Sequence, residues 1–369
     1  MIRKHEKRRF SRAVWVAASA LAAITIVGLI NLTNAASYTG ETFHQTQVLW
    51  VVVGLVMATA VAFIDLRFFE QLAPVFFWIA VALLAATLLF GREVNHSRRW
   101  ILGIQPSEFV KVAMVLMMAR FFHTERNPER YTLRMLLKPM AFIIIPMILI
   151  LMQPDLGTSL VVMAVGFSIM FFEGIRFRSF LALLTIGVLI VPLAWNLNLI
   201  KPYQKDRVRV WLEMTTEEPT GQRNLDKGMQ PEQALWAVGS GRFAGKGGGQ
   251  GIQSRLRYLP EMHNDYIFAS YAEERGFIGC VLLIGLYTVL VVSLMVVAIR
   301  ARERFGVLVS IGAVAIIFWQ VFFNIGMVLG IFPVVGLTLP LMSYGGSSIL
   351  STMLAVGLAL NAGIHRGQV

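Results

Sequence analysis

The chain has 369 residues, 56% of them hydrophobic and 15% charged, with a mean hydropathy of +0.66 and a net charge of +12. So much apolar surface exceeds what a water-soluble domain of this size can hide, so lipid must serve as part of the solvent. The basic residues are not interleaved with aromatics as nucleic-acid binding would require, and the lone cysteine, Cys280, excludes an internal disulfide and a multi-cysteine metal site.

A helix crosses the hydrocarbon with about 20 apolar residues. Apolar runs fall at 13–34, 47–65, 71–90, 106–123, 138–153, 157–173, 178–196, 266–299, 307–331 and 341–364. They predict an all-α integral membrane protein, one polytopic domain over 1–369, with ten transmembrane helices and both termini on one side. Arg3, Lys4, Lys7, Arg8 and Arg9 place that side in the cytoplasm. The first run is longer than a signal-peptide core and more spans follow it, so it reads as a retained helix. Arg126, Arg130, Arg134 and Lys138, then Arg176 and Arg178, then Arg300, Arg302 and Arg304 fall on inner loops, as the charge bias requires. Two outer loops run against that bias: 91–105, with Arg92, Arg98 and Arg99, and the large extracytoplasmic loop 197–265. Basic charge kept outside points to an anionic ligand there.

Four groups could carry chemistry. Pro106 and Ser107 suit a helix start. Glu108 and Lys111, three apart, share a face, which fits a buried structural ion pair or a direct ligand contact. Arg99 has no carboxylate near it in sequence except Glu93 and reads as a phosphate-binding guanidinium. The glycine-rich stretch 239–251 around Lys246 lacks phosphate-loop spacing. It reads first as a flexible hinge, with a pyrophosphate cradle of backbone amides as the alternative. Asp265 sits where a polar loop meets an apolar helix, a costly place for a charge unless something holds it, and one suited to accepting a proton. Glu261 and His263 stand beside it without the spacing or third ligand that zinc needs. Glu274, further on, reads as a buried structural acid. Gly326 and Gly330 form a helix-packing face. The stretch 333–347 reads as irregular backbone at membrane depth, tolerated where it lines a cavity or is buried in protein.

Five ordered blocks resemble the SEDS family (shape, elongation, division and sporulation proteins). They are Arg99-Trp100 with Gln105-Pro106-Ser107-Glu108 and Lys111; Gln153-Pro154-Asp155-Leu156-Gly157-Thr158-Ser159; Tyr203-Gln204 with Arg207-Val208; Gly245-Lys246-Gly247 with Gln253-Ser254, Leu259-Pro260-Glu261, His263 and Asp265; and Leu339-Pro340 with Ser343-Tyr344-Gly345-Gly346-Ser347. The match runs over essentially the whole chain. Asn264 and Tyr266 depart mildly from the family's usual neighbours of the aspartate. Gly245-Lys246-Gly247 with Gln253-Ser254 resembles the RodA branch most closely. Leu337-Thr338-Leu339-Pro340 is more usual in the FtsW division branch, which stays open. The resemblance implies ten membrane helices and polymerisation of lipid II, the undecaprenyl-pyrophosphate-linked disaccharide peptide, on the outer face of the bacterial cytoplasmic membrane. It implies a class B penicillin-binding protein transpeptidase as partner, along with other elongation-complex membrane proteins, and no nucleic acid. It also implies that Asp265 is the essential catalytic acid.

Glycosyl transfer from a lipid pyrophosphate needs a base for the acceptor hydroxyl, cations for the departing pyrophosphate and a groove for polyprenyl tails. Asp265 is the expected base. Arg99, Lys111, Arg207, Lys246, Glu261, His263 and Ser343 are the expected substrate-binding residues. A single well-placed carboxylate favours direct inverting displacement over a covalent glycosyl-enzyme. No cofactor is required beyond, at most, a divalent cation (Mg or Mn) at the pyrophosphate, and no protein metal site is expected. A lipid II flippase, the alternative of a different class, would share the spans and basic sites but would need no base at the outer interface.

Overall fold

The computed structural model describes residues 12–39, 42–94, 97–101, 103–125, 131–196, 202–216, 225–256 and 263–364. Three helices come first: α1 (Arg12–Thr39), α2 (Phe43–Phe63) and α3 (Leu66–Phe90). A short antiparallel hairpin, β1 (Arg92–Val94) with β2 (Ser97–Trp100), follows and sets Glu93 opposite Arg98. Next are α4 (Pro106–Thr124), α5 (Leu137–Met152), α6 (Leu156–Glu173) and α7 (Phe177–Asn196). Three polar helices fill the long connection: α8 (Pro202–Thr216), α9 (Leu225–Ser240) and α10 (Ile252–Arg255). The chain ends with α11 (Ile267–Arg300), α12 (Arg304–Val328) and α13 (Gly346–Ile364). The hairpin corrects the expectation of an all-α chain, and the expected large loop 197–265 contains helices of its own. Strands of three and four residues are too short to show a period, and amphipathic surface helices carry no apolar run.

Among the described residues, seven helices are long and apolar enough to cross a membrane: α1, α2, α3, α6, α11, α12 and α13. Helix α5 is apolar but shorter, as is the leading part of α7. Helix α4 carries Glu108, Lys111 and Arg120 in its 19 residues. The protein is thus a multi-pass membrane protein. Its helices cap themselves where the sequence allows: the Asp65 carboxylate accepts the Arg67 amide at 2.9 Å, and the Asp155 carboxylate accepts the Thr158 amide at 3.1 Å. Helix α12 runs through the middle, packed against α4, α6, α11 and α13, while α2 lies on α13 and α1 on α11. That position explains why α12 is apolar on every side.

Helix α11 has 34 residues, about 50 Å of helix against roughly 30 Å of hydrocarbon. It is not one rod. Gly276, at φ 63° and ψ −165°, breaks it into an outer segment, 267–275, and a membrane segment, 277–300. Such a break costs two helical hydrogen bonds, those from Phe277 and Ile278 back to Glu273 and Glu274. The glycine-rich loop replaces both. Phe277 and Ile278 donate to the carbonyls of Arg242 and Phe243 (2.9 and 3.1 Å), and Lys246 and Gly247 donate to the carbonyls of Glu273 and Glu274 (3.0 Å each). The backbones approach so closely that a Cβ on Gly276 would lie 2.3 Å from the Gly245 nitrogen. The loop expected to be a flexible hinge is therefore a docked strap. Helix α1 supports the outer segment from the other side, with Asn34 donating to the Glu274 carboxylate at 2.7 Å.

Between α12 and α13, residues 329–345 form no helix. Backbone bonds serve both ends of this segment, and side chains meet several polar groups in between. Asn324 donates to Leu337 O (2.6 Å), Tyr287 to Pro340 O, and Gln47 to Ser343 O (2.9 Å) while accepting from Gly345 N (3.2 Å). The Leu339 amide donates to Ser343 Oγ at 2.8 Å. Buried irregular backbone is stable only with such partners.

A side chain at position 276 would both force a disallowed φ/ψ and displace the strap. Gly276→Ala is expected to cost about 3 kcal/mol or more, read as a clearly lower melting temperature in detergent. Gly285→Ala, in the same helix with open space around the new Cβ, should melt at or slightly above wild type. Equal melting of the two variants would show that strap and break are not coupled.

Candidate active site

Asp265 lies two residues before α11, at the foot of its outer segment. Its position is set through the main chain: the Asn324 amide of α12 donates to the Asp265 carbonyl at 3.0 Å and to Leu337 O at the same time. One side chain thereby joins the start of α11 to the irregular segment. The Asp265 carboxylate lies against Gly336. A Cβ built on that glycine would be 3.3 Å from Asp265 Oδ2 and 3.9 Å from Arg207 Nη1. Gly336 has φ 71°, which an L side chain rarely adopts. A glycine here lets the carboxylate that precedes α11 and a guanidinium from α8 approach the same point. Arg207 also donates to Val334 O at 2.9 Å. Both charges act on the buried Tyr266 phenol. Burial pushes its pKa well above the usual range, Asp265 adds to the rise, and Arg207 opposes it.

A second layer lies behind this pair. Ser343 Oγ donates to Asn264 O at 2.7 Å and the Tyr344 amide to His263 O at 2.8 Å. The His263 ring stacks on Phe43 of α2 with centroids 4.9 Å apart. Its Nδ1 is buried without a partner among the described residues. Both His263 and Ser343 therefore stand beside Asp265 in space. Ser343, 2% exposed, has its hydroxyl engaged by the protein.

The remaining expected contacts fall elsewhere. Glu108 and Lys111 form a buried pair, with Lys111 Nζ 2.9 Å from both carboxylate oxygens and Ser351 Oγ donating to Oε2 at 2.9 Å. Lys111 has no exposed side-chain surface, so of its two expected roles the geometry carries the structural one. Arg99 does have a carboxylate, one distant in sequence. Its guanidinium is 3.8 Å from Asp155 and donates to the carbonyls of Gln153 and Pro154, clamping the hairpin onto the turn between α5 and α6. The expectation that Arg99 is spare for an anion is corrected on that ground. Lys246 Nζ is 2.7 Å from the fully buried Glu273 carboxylate and 2.8 Å from Ser240 Oγ. Its own amide and that of Gly247 bond to α11, which removes both from a pyrophosphate cradle. Glu261 lies outside the described residues, as do Arg126 and Arg130. Gln47, Trp211, Asn324 and Gly336, none of which received a role from the sequence, shape the site. Gln47 and Asn324 were visible only as amides inside apolar runs.

The Lys246–Glu273 pair gives a direct test of the strap. Lys246→Met takes the cation from a buried carboxylate and should destabilise by about 3 kcal/mol. Adding Glu273→Gln should recover part of the loss. Additive losses in detergent melting would mean that the two side chains do not act on each other. Arg99→Ala is expected to lower melting as well as activity, because the clamp on 153–155 goes with it. Wild-type melting of that variant would return Arg99 to the list of spare cations.

Comparison with known proteins places this geometry in a family. The chain matches the FtsW/RodA/SpoVE family, described as cell cycle proteins, over residues 9–368. It is 38% identical over 320 residues to peptidoglycan glycosyltransferase MrdB of Escherichia coli K12, covering 86% of this chain and 84% of that protein. It is 34% identical over 355 residues to a probable peptidoglycan glycosyltransferase FtsW of Thiomicrospira cyclica, covering 92% and 88%. Among solved structures, a chain from a peptidoglycan synthase complex that coordinates polymerization and crosslinking superposes with a TM-score of 0.81 at 30% identity, covering 98% of this chain and 99% of that one. The rod shape determining protein RodA of Thermus thermophilus superposes with a TM-score of 0.70 at 27% identity, covering 98% of each chain. On the match along nearly its full length, the chain belongs to the FtsW/RodA/SpoVE family of cell cycle proteins.

Proposed function

We propose that this chain is a peptidoglycan glycosyltransferase that polymerises lipid II into glycan strands during cell elongation. The observation that carries the reading is the approach of the Asp265 carboxylate and the Arg207 guanidinium to one point above Gly336. Likeness to MrdB and to RodA supports the elongation role, and the FtsW relatives share the family. In this reading all ten apolar helices cross the bacterial cytoplasmic membrane, both termini lie in the cytoplasm, and the site opens on the outer face. A class B penicillin-binding protein supplies the crosslinking. Likeness to a chain of a synthase complex that joins polymerization to crosslinking supports that partner.

The chemistry follows from the two charges. Asp265 takes the proton of the acceptor sugar's 4-hydroxyl. The acceptor oxygen bonds to the anomeric carbon of the donor, the bond from that carbon to the pyrophosphate oxygen breaks, and the lipid pyrophosphate leaves with the electron pair. Arg207 stands within reach to stabilise the negative charge that grows on it. The base is worth about 10²–10⁴-fold, and fixed positive charge at the leaving group usually contributes more. Lys111, Lys246 and Arg99 hold the frame and Arg207 is the proposed substrate cation. Among the described residues no three His, Cys, Asp or Glu side chains gather as a metal set. No step is routed through a metal.

Asp265→Asn keeps the shape and removes the accepting oxygen. Purified variant with lipid II in detergent should make no polymer on gels and should melt like wild type. Polymer made by the folded variant at a substantial rate would rule out Asp265 as the base.

A further inference from the structure

Arg207 is held in place from a distance. It lies on α8, a polar helix in the long outer connection whose neighbour among the polar helices is α9. Arg207 and Trp211 are four residues apart and share one face of that helix. Both reach the same target. Trp211 Nε1 donates to Gly330 O at 2.8 Å, and Arg207 Nη1 donates to Val334 O at 2.9 Å. The two carbonyls are also four residues apart, so the helix lies along the irregular segment with matching spacing. The two attachment points differ in firmness. Gly330 closes α12: the Leu329 amide bonds to Ile325 O, the Gly330 amide to Met327 O and the Ile331 amide to Gly326 O, which ties its peptide to the central helix. Val334 lies further out on the irregular stretch.

We infer that Trp211 is a positioning residue for Arg207: its indole N–H pins α8 to the end of α12 and thereby sets where the guanidinium stands relative to Asp265. This rests on the reading of Asp265 and Arg207 as base and leaving-group cation. The argument is one of freedom. An arginine side chain is long and flexible, and it stands where its helix puts it. The indole bond holds α8 to the end of α12 without involving a substrate-facing group, whereas the Arg207 guanidinium both holds Val334 O and faces the substrate. An indole is a donor only, so replacing it with a phenyl ring removes the pin and keeps an aromatic ring in its place. The residue acts through another and touches no reacting atom.

The experiment compares Trp211→Phe, Arg207→Gln, the double variant and Asp265→Asn, purified full-length and assayed with lipid II, with rates normalised to monodisperse protein. Melting of Trp211→Phe should match wild type. Its kcat should fall by at least about tenfold, toward the roughly 10²-fold that a small misplacement can cost, with KM for lipid II nearly unchanged. In the double variant the indole change should add no further loss to Arg207→Gln. A role in packing or in the lipid groove would instead lower the melting temperature or raise KM, and would deepen the loss in the double variant. Either result overturns the inference, as does wild-type kcat in Trp211→Phe while Arg207→Gln is impaired. Activity in Asp265→Asn would instead overturn the reading beneath it, and the two failures are therefore distinguishable.

Discussion

Backbone that leaves a helix inside a bundle must find new hydrogen-bond partners, because no bulk water is there to supply them. This constraint shapes the protein at two places and sets the site between them. At Gly276 the partners are other backbone groups, exchanged with the glycine-rich strap. Along 329–345 they include side chains from α2, α8, α11 and α12 beside backbone groups. Asp265 stands between the two, with its carbonyl bound to the same asparagine that holds the irregular segment. The main chain at Asp265 is thus fixed by the same side chain that makes the irregular backbone tolerable.

The buried charges follow a related rule. Each is held by a partner that leaves little to chance: Lys111 by both oxygens of Glu108, Glu273 by Lys246 and by the Gln253 amide, Asp155 by Arg99, Gln105 and Thr158. Such pairs add little net stability relative to apolar packing, but removing one member is costly. Two of them fasten connecting segments to the bundle: Arg99 holds the hairpin to the turn before α6, and Lys246 holds the strap to α11.

Much of this was legible in the chain. Each of the ten apolar runs coincides with a helix, and seven of those helices, among the described residues, are long and apolar enough to cross a membrane. Asp265 stood out because a charge at the edge of an apolar run is expensive. The Glu108–Lys111 pair was visible because its members are one helical turn apart. The errors concern pairing across the fold. Asp155 is 56 positions from Arg99 and Glu273 is 27 from Lys246, and no local pattern links them, so both cations were read as spare. The break at Gly276 was hidden for another reason: glycine is common inside membrane helices, and only the strap beside it shows that the helix ladder opens there.

The contacts at the site also differ in when they can form. A chain is made from its N-terminus, and contacts between near neighbours in sequence close first and at least entropic cost. The Lys246–Glu273 contact spans 27 residues, so the strap can dock as soon as α11 emerges. The bond from Ser343 to Asn264 spans 79 residues, and that from Gln47 to Ser343 spans 296. Asp265 is therefore made, and its helix docked, well before the segment that holds its carbonyl and brings Gly336 against it. Assembly itself delays the chemistry: the acid exists early, but a site exists only once α12 and the segment that follows it are in place.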